Sequence, residues 1–119
     1  MITALAVLLL GGVAGVARYL VDGAVQSRRH SAFPAGTLVV NLAGCFALGL
    51  VAGLQPSAQT TLLLGTATIG SYTTFSTWML ESHRPAEGGE SRLAWRNLII
   101  SLLAGLVCVA IGRLLGRAL

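Results

Sequence analysis

This 119-residue chain contains no lysine, has only four acidic side chains, and carries no charged residue between positions 31 and 80. With 10% charged and 55% hydrophobic residues, the composition excludes an ordinary soluble domain and points to an integral membrane protein. The basic residues are eight arginines, giving a net charge of +4. They sit at the ends of apolar runs, which suits anchoring at a membrane interface. No basic stripe exists, so no nucleic-acid partner is expected. Cys45 and Cys108 are the only cysteines; both lie within apolar runs and neither has a Cys or His neighbour at ligand spacing, so a disulfide or metal cluster is not expected. No nucleophile with a base and no phosphate loop is present, which argues against an enzyme.

What is there is a succession of apolar runs, read as one transmembrane domain with spans at about 1–21, 35–54, 58–80 and 96–115. The N-terminus lacks a basic leader and its apolar run outlasts a signal-peptide core, so it is expected to be a mature span. No soluble domain is expected before or after the spans. In the first span Gly11 and Gly15 form a small-xxx-small face. Arg18 and Tyr19 follow as an interfacial anchor with Asp22 as a nearby counter-ion; the alternative role for Arg18 is to lend positive potential to the mouth of an anion path. Arg28, Arg29 and His30 make a short basic loop.

Phe33-Pro34 opens the second span, with proline where its missing N–H is tolerated. Gly36, Gly44, Gly49 and Gly53 give this span a small-residue face. Asn41, near its middle, is as well suited to an interhelical bond as to a ligand role. Gln55-Pro56-Ser57 is a tight turn, making spans two and three antiparallel neighbours. Residues 81–95 read as the one polar loop of any length. Trp95 and Arg96 then mark the next interface, and the fourth span carries Ser101, Gly112 and Gly116.

The third span is the unusual one. Gly70-Ser71-Tyr72-Thr73-Thr74-Phe75-Ser76-Thr77-Trp78 puts hydroxyls, aromatics and a helix-weakening glycine inside an uncharged region, where each exposed polar group needs a partner. A break is expected around Gly70 to Thr73. Beyond it, Ser71, Phe75 and Trp78 fall at i, i+4 and i+7 on one expected face. The intramembrane inventory holds neutral donors and no Asp, Glu or His. That weighs against proton-coupled exchange and against an anionic cation filter, and favours an anion path lined by O–H, amide N–H and aromatic edges. Asn41, Phe75, Ser76, Thr77 and Trp78 supply that set.

Three motifs resemble the CrcB/Fluc fluoride channel family: Gly11-Gly12-x-x-Gly15-x-x-Arg18-Tyr19, Phe33-Pro34-x-Gly36-Thr37-Leu38-x-Val40-Asn41-x-x-Gly44-x-Phe46-x-x-Gly49, and Gly70-x-x-Thr73-Thr74-Phe75-Ser76-Thr77. The resemblance implies an all-α membrane protein of four transmembrane helices with a broken third helix, assembled as an antiparallel dimer. It implies passive fluoride export through two pores, with a structural sodium ion at the dimer axis held by the backbone carbonyls of Gly70 and Thr73. The implied ion pathway comprises Asn41, Thr74, Phe75, Ser76, Thr77 and Trp78, joined by Ser101 and Glu81. Trp78 departs from the family, where phenylalanine is commoner.

Placement in the bacterial inner (plasma) membrane is expected, with the lipid bilayer and fluoride ion as partners. On the side of the first and third loops lie Arg28, Arg29, Arg84, Arg92 and Arg96, and on the other only Arg113 and Arg117. That bias favours both termini outside. The subunit is thus expected to form a dual-topology homodimer or, given its bias, to pair with an oppositely oriented homologue. Two other readings are kept: a small multidrug-resistance-type antiporter, whose membrane glutamate is missing from the first span here, and a non-conducting subunit of a heterodimeric channel.

Overall fold

The computed structural model describes residues 1–29 and 31–119; His30, the third member of the expected basic loop, lies outside the described residues. The described residues form helices and turns without a strand: α1 Ile2–Arg28, α2 Ala35–Leu54, α3 Ala58–Thr60, a π-helical stretch Thr61–Ile69, α4 Gly70–Tyr72, α5 Ser76–Glu87 and α6 Ser91–Ala118. α1, α2 and α6 are each long and apolar enough to cross a membrane, since about 20 apolar residues at 1.5 Å rise span the hydrocarbon core. The chain is a membrane protein.

Local chemistry sets the ends. Pro34 caps α2, and Gln55 ends it in the left-handed conformation at φ 50°, after which Pro56 cannot continue a helix. Ser57 starts α3, its Oγ accepting the Thr60 N–H at 3.2 Å, an ordinary N-cap. Gly89 takes φ +85° and turns the chain from α5 into α6. The polar loop expected over residues 81–95 is therefore mostly helix: α5 runs to Glu87 and α6 begins at Ser91. Pro85 lies in the final turn of α5, where it cannot donate to the Glu81 carbonyl and so helps to end the helix; its own carbonyl takes the Glu90 N–H at 2.7 Å.

The frame is the α2–α6 pair, the most extensive interface in the molecule. Gly49 lies against the Val109 carbonyl, Gly53 against that of Arg113, Gly112 against that of Phe46 and Gly116 against that of Leu50. Partner numbers rise together, so the two helices are parallel, and a Cβ at any of the four would strike backbone. In lipid, helices gain nothing from hiding apolar surface and associate through close packing. The inside of the fold is correspondingly small and polar, with Thr37, Ser82 and Asn97 buried, while Leu8, Leu9, Val13, Ile99, Leu103 and Leu106 face outward.

α1 runs antiparallel to α2, joined where Gln26 Oε1 accepts the Gly36 N–H at 3.3 Å and where Asp22 lies against Gly36. At its other end Gly11 faces Ser71 and the Ala67 carbonyl, while Gly12 and Gly15 meet nothing within 4 Å. The expected Gly11/Gly15 face is thus used only at Gly11 within one chain. Arg18 forms no salt bridge with Asp22; among the described residues the one such pair is His83–Glu87 at 3.3 Å. Tyr19 is exposed on the helix surface, consistent with an outward-facing anchor.

Candidate functional site

The helix break falls at Thr73–Phe75, between α4 and α5, and so begins at the last residue of the expected Gly70–Thr73 stretch: Gly70 stays helical at φ −62°, ψ −33°, and Thr73 is extended at φ −78°, ψ 160°. The reason lies in hydrogen bonding more than in glycine. Upstream, the chain widens into the π-helical stretch, where Thr68 Oγ1 donates to the Leu63 carbonyl at 2.8 Å and the Gly70 N–H reaches back to Gly65. Thr73 ends that run by donating both its N–H, at 3.0 Å, and its hydroxyl, at 3.1 Å, to the Ile69 carbonyl. π-Helical turns cluster at functional sites.

Asn41 holds the break open. Its Nδ2 donates to the Thr74 carbonyl at 2.9 Å, and its Oδ1 accepts the Thr74 N–H at 2.8 Å. One side-chain amide thereby replaces both helical partners of one residue, as buried backbone groups require. Gly44, one turn along α2, lets the strand-like segment approach: a Cβ there would meet the Thr73 methyl group.

The same bonds release two carbonyls. In an unbroken helix the Gly70 carbonyl would accept the Thr74 N–H and the Thr73 carbonyl the Thr77 N–H. Here the Thr74 N–H goes to Asn41 and the Thr77 N–H goes to Thr74 Oγ1 at 3.2 Å. Among the described residues no backbone N–H takes their place. Two neutral, hard oxygen donors without partners fit a small hard cation.

A groove of about 370 Å³ opens beside the break, bringing together Asn41, Gly70, Thr73, Thr74, Phe75, Trp78 and Ser101 against apolar walls from Leu48, Leu102, Leu106 and Val109. Phe75 is 70% exposed and meets Trp78 edge-on, with centroids 5.7 Å apart at 72°. Ser76, Thr77 and Glu81 do not line the groove. Ser76 and Thr77 join it through Thr74, whose hydroxyl donates to Thr77 Oγ1 at 3.0 Å and lies 3.5 Å from Ser76 Oγ. Ser71 is not on the Phe75/Trp78 face: the break separates them, and Ser71 faces Gly11 of α1.

Glu81 lies apart, its Oε1 accepting the Thr37 hydroxyl at 3.0 Å. Its Oε2 is buried and has no partner among the described residues. The departure at Trp78 also finds its place. Its indole N–H points to the Asn97 carbonyl at 3.4 Å, and Asn97 Nδ2 donates to Ser82 Oγ at 2.8 Å. Ser101 Oγ closes the set by donating to Asn97 Oδ1 at 3.3 Å. Sequence reasoning gave Thr37 no role beyond its place in a motif and passed over Ser82 and Asn97. Asn97 was masked by its position at a span end beside Arg96, and Ser82 by its apparent place in a loop.

Comparison with known proteins supplies the family. The model of one family, described as "CrcB-like protein, Camphor Resistance (CrcB)", matches residues 5–113. The chain belongs to the CrcB family. Among similar proteins, "Fluoride-specific ion channel FluC 2" of Mycolicibacterium paratuberculosis is 49% identical over 111 residues, covering 93% of this chain and 91% of the relative. "Fluoride-specific ion channel FluC 1" of Rubrobacter xylanophilus is 42% identical over 102 residues, covering 85% and 82%. "Fluoride-specific ion channel FluC" of Solibacter usitatus is 38% identical over 112 residues, covering 90% and 92%. The motifs quoted from the sequence, all between residues 11 and 77, lie wholly within the CrcB match.

Proposed function

We propose that this CrcB chain is a subunit of a passive, fluoride-selective channel that exports fluoride across the bacterial inner membrane. The observation that carries the proposal is the clasped break, which sets neutral donors and an exposed aromatic edge beside one groove in the most hydroxyl-rich part of an uncharged region. O–H and N–H donors and positive ring edges can replace an anion's hydration without a fixed charge that would trap it. The names of the relatives supply the ion.

In this reading residues 58–87 form the third of four spans, broken at its middle. Phe75, Trp78, Asn41, Thr74 and Ser101 line the pathway, with Ser76 and Thr77 forming a polar track and Glu81 at its end. Two oppositely oriented subunits would close their grooves on each other and make two pathways. The free carbonyls of Gly70 and Thr73 would hold a structural sodium ion at the dimer axis, which would tie the two broken helices together. The ion's charge would compensate the oxygens that the break exposes.

The test is fluoride efflux, followed with an ion electrode, from liposomes holding only this purified chain. Fluoride should leave while chloride in parallel liposomes stays. Well-folded protein that passes neither ion alone, but passes fluoride with a co-expressed homologue, would make this a heterodimer subunit; loss of both ions at similar rates would refute fluoride selectivity.

A further inference from the structure

A second concavity, separate from the groove, lies at the end of the bundle where the α1–α2 connection meets the start of α6. Its volume is about 370 Å³ and its lining includes Ser31, Phe33, Glu90, Arg92 and Arg96. Arg92 and Arg96 stand one turn apart on α6, and Arg96 stacks its guanidinium over the Phe33 ring at 5.9 Å from the centroid. Such a contact holds the planar cation in place while leaving its in-plane donors free. Among the described residues neither arginine forms a salt bridge. Glu90 is the one acidic group in the lining, so two cations face one carboxylate.

The depth of this concavity identifies its solvent. Trp95, between the two arginines in sequence, is 63% exposed, and the apolar surface of α6 begins just beyond it with exposed Ile99 and Ile100. An outward-facing tryptophan at the start of an apolar helix marks the headgroup level. A cationic hollow at that level, open beside lipid, meets phosphodiesters attached to acyl chains. Ser31 Oγ, which accepts the Phe33 N–H at 3.1 Å, keeps its own hydrogen to donate.

We infer that the hollow formed by Phe33, Arg92 and Arg96 is a binding site for the headgroup of an anionic phospholipid. Arg96, aligned on Phe33, grips the phosphodiester as a fork, Arg92 adds the second charge, and the acyl chains run down the apolar flank of α6. Glu90 disfavours additional negative charge, so a headgroup of one net negative charge suits the site better than a polyanion.

The test is lipid retention by the intact purified protein, read by native mass spectrometry after exchange into phosphatidylglycerol or phosphatidylcholine. Phosphatidylglycerol should be retained and phosphatidylcholine lost; equal retention of both overturns the inference without any variant. In the Arg92→Gln/Arg96→Gln protein, retention should fall about thirtyfold, at about fivefold for each arginine near a lipid surface. Arg113→Gln, which removes a charge from the other end of α6, should leave it unchanged. An equal fall in both variants would mean general electrostatics and no site. Competition with inorganic phosphate separates the sources: displacement of lipid at millimolar phosphate would assign the hollow to free phosphate and refute the lipid. Ion conduction is not the readout, so failure here would leave the channel proposal standing.

Discussion

Asn41 serves the break as a substitute peptide group, giving an N–H to the Thr74 carbonyl and taking the Thr74 N–H in return. Asn41→Ala leaves two backbone groups unpaired, each costing about 1–3 kcal/mol where water is scarce. Because Thr74 borders an open groove, the loss should fall at the lower end of the combined range of about 2–6 kcal/mol. Asn41→Asp can still accept the N–H, but its carboxylate sets a charge against the Thr74 carbonyl in an uncharged region, so it should lose at least as much as alanine. Unfolding in mixed micelles measures both, and wild-type stability in Asn41→Ala would sink the clasp. The same residue shows how far sequence could reach. A lone intramembrane amide declared that a partner existed, but two hydrogen bonds to one residue 33 positions away depend on tertiary placement. Trp78 is similar. Its extra N–H was visible in the sequence, whereas its acceptor on Asn97 was not.

At the scale of helices, glycine spacing foretold close packing without saying which glycines would be used. Gly12 and Gly49 look alike in sequence, yet a Cβ at Gly12 meets nothing within 4 Å, while one at Gly49 runs into the Val109 backbone. Gly12→Ala should therefore stabilise the protein by about 0.5–1 kcal/mol through helix propensity alone. Gly49→Ala must push α2 away from α6 and should cost about 1–3 kcal/mol, the range for overpacking. Thermal unfolding of the two variants in one detergent checks this contrast, and equal shifts would contradict the parallel seam. The break itself was legible as an excess of hydroxyls and a glycine after an apolar run. It begins only at the end of the expected Gly70–Thr73 stretch because the π-helical register carries helix through Gly70, and an i−5 register leaves no simple periodic mark in a run as apolar as Thr61–Ile69. The end of α5 was obscured for a different reason: its last turns are polar, so composition resembled a loop while the backbone remained helical to Glu87.

For the whole molecule, orientation follows from charge in a way that close packing cannot supply. The α1–α2 and α5–α6 connections share one end of the bundle, because α1 and α2 are antiparallel and α2 and α6 parallel. Arg28, Arg29, Arg84, Arg92 and Arg96 flank that end, and Arg113 and Arg117 flank the other. A chain that inserts equally both ways needs its two ends nearly balanced, and this one differs by three arginines. On the positive-inside rule the connections should therefore face the cytoplasm and the C-terminus the outside. A cysteine-reactive, membrane-impermeant label directed at a single C-terminal cysteine, in a variant lacking Cys45 and Cys108, should react in intact cells and gain little on lysis. Neutralising the three-arginine excess, by Arg28→Gln, Arg29→Gln and Arg84→Gln, leaves two arginines at each end and should bring labelling toward an even mixture. Even labelling of the parent would instead mean dual insertion and a homodimer built from one gene product. For the proposed antiparallel pair, strictly one-way labelling would call for an oppositely oriented homologue, since such a pair cannot form from subunits that all point the same way.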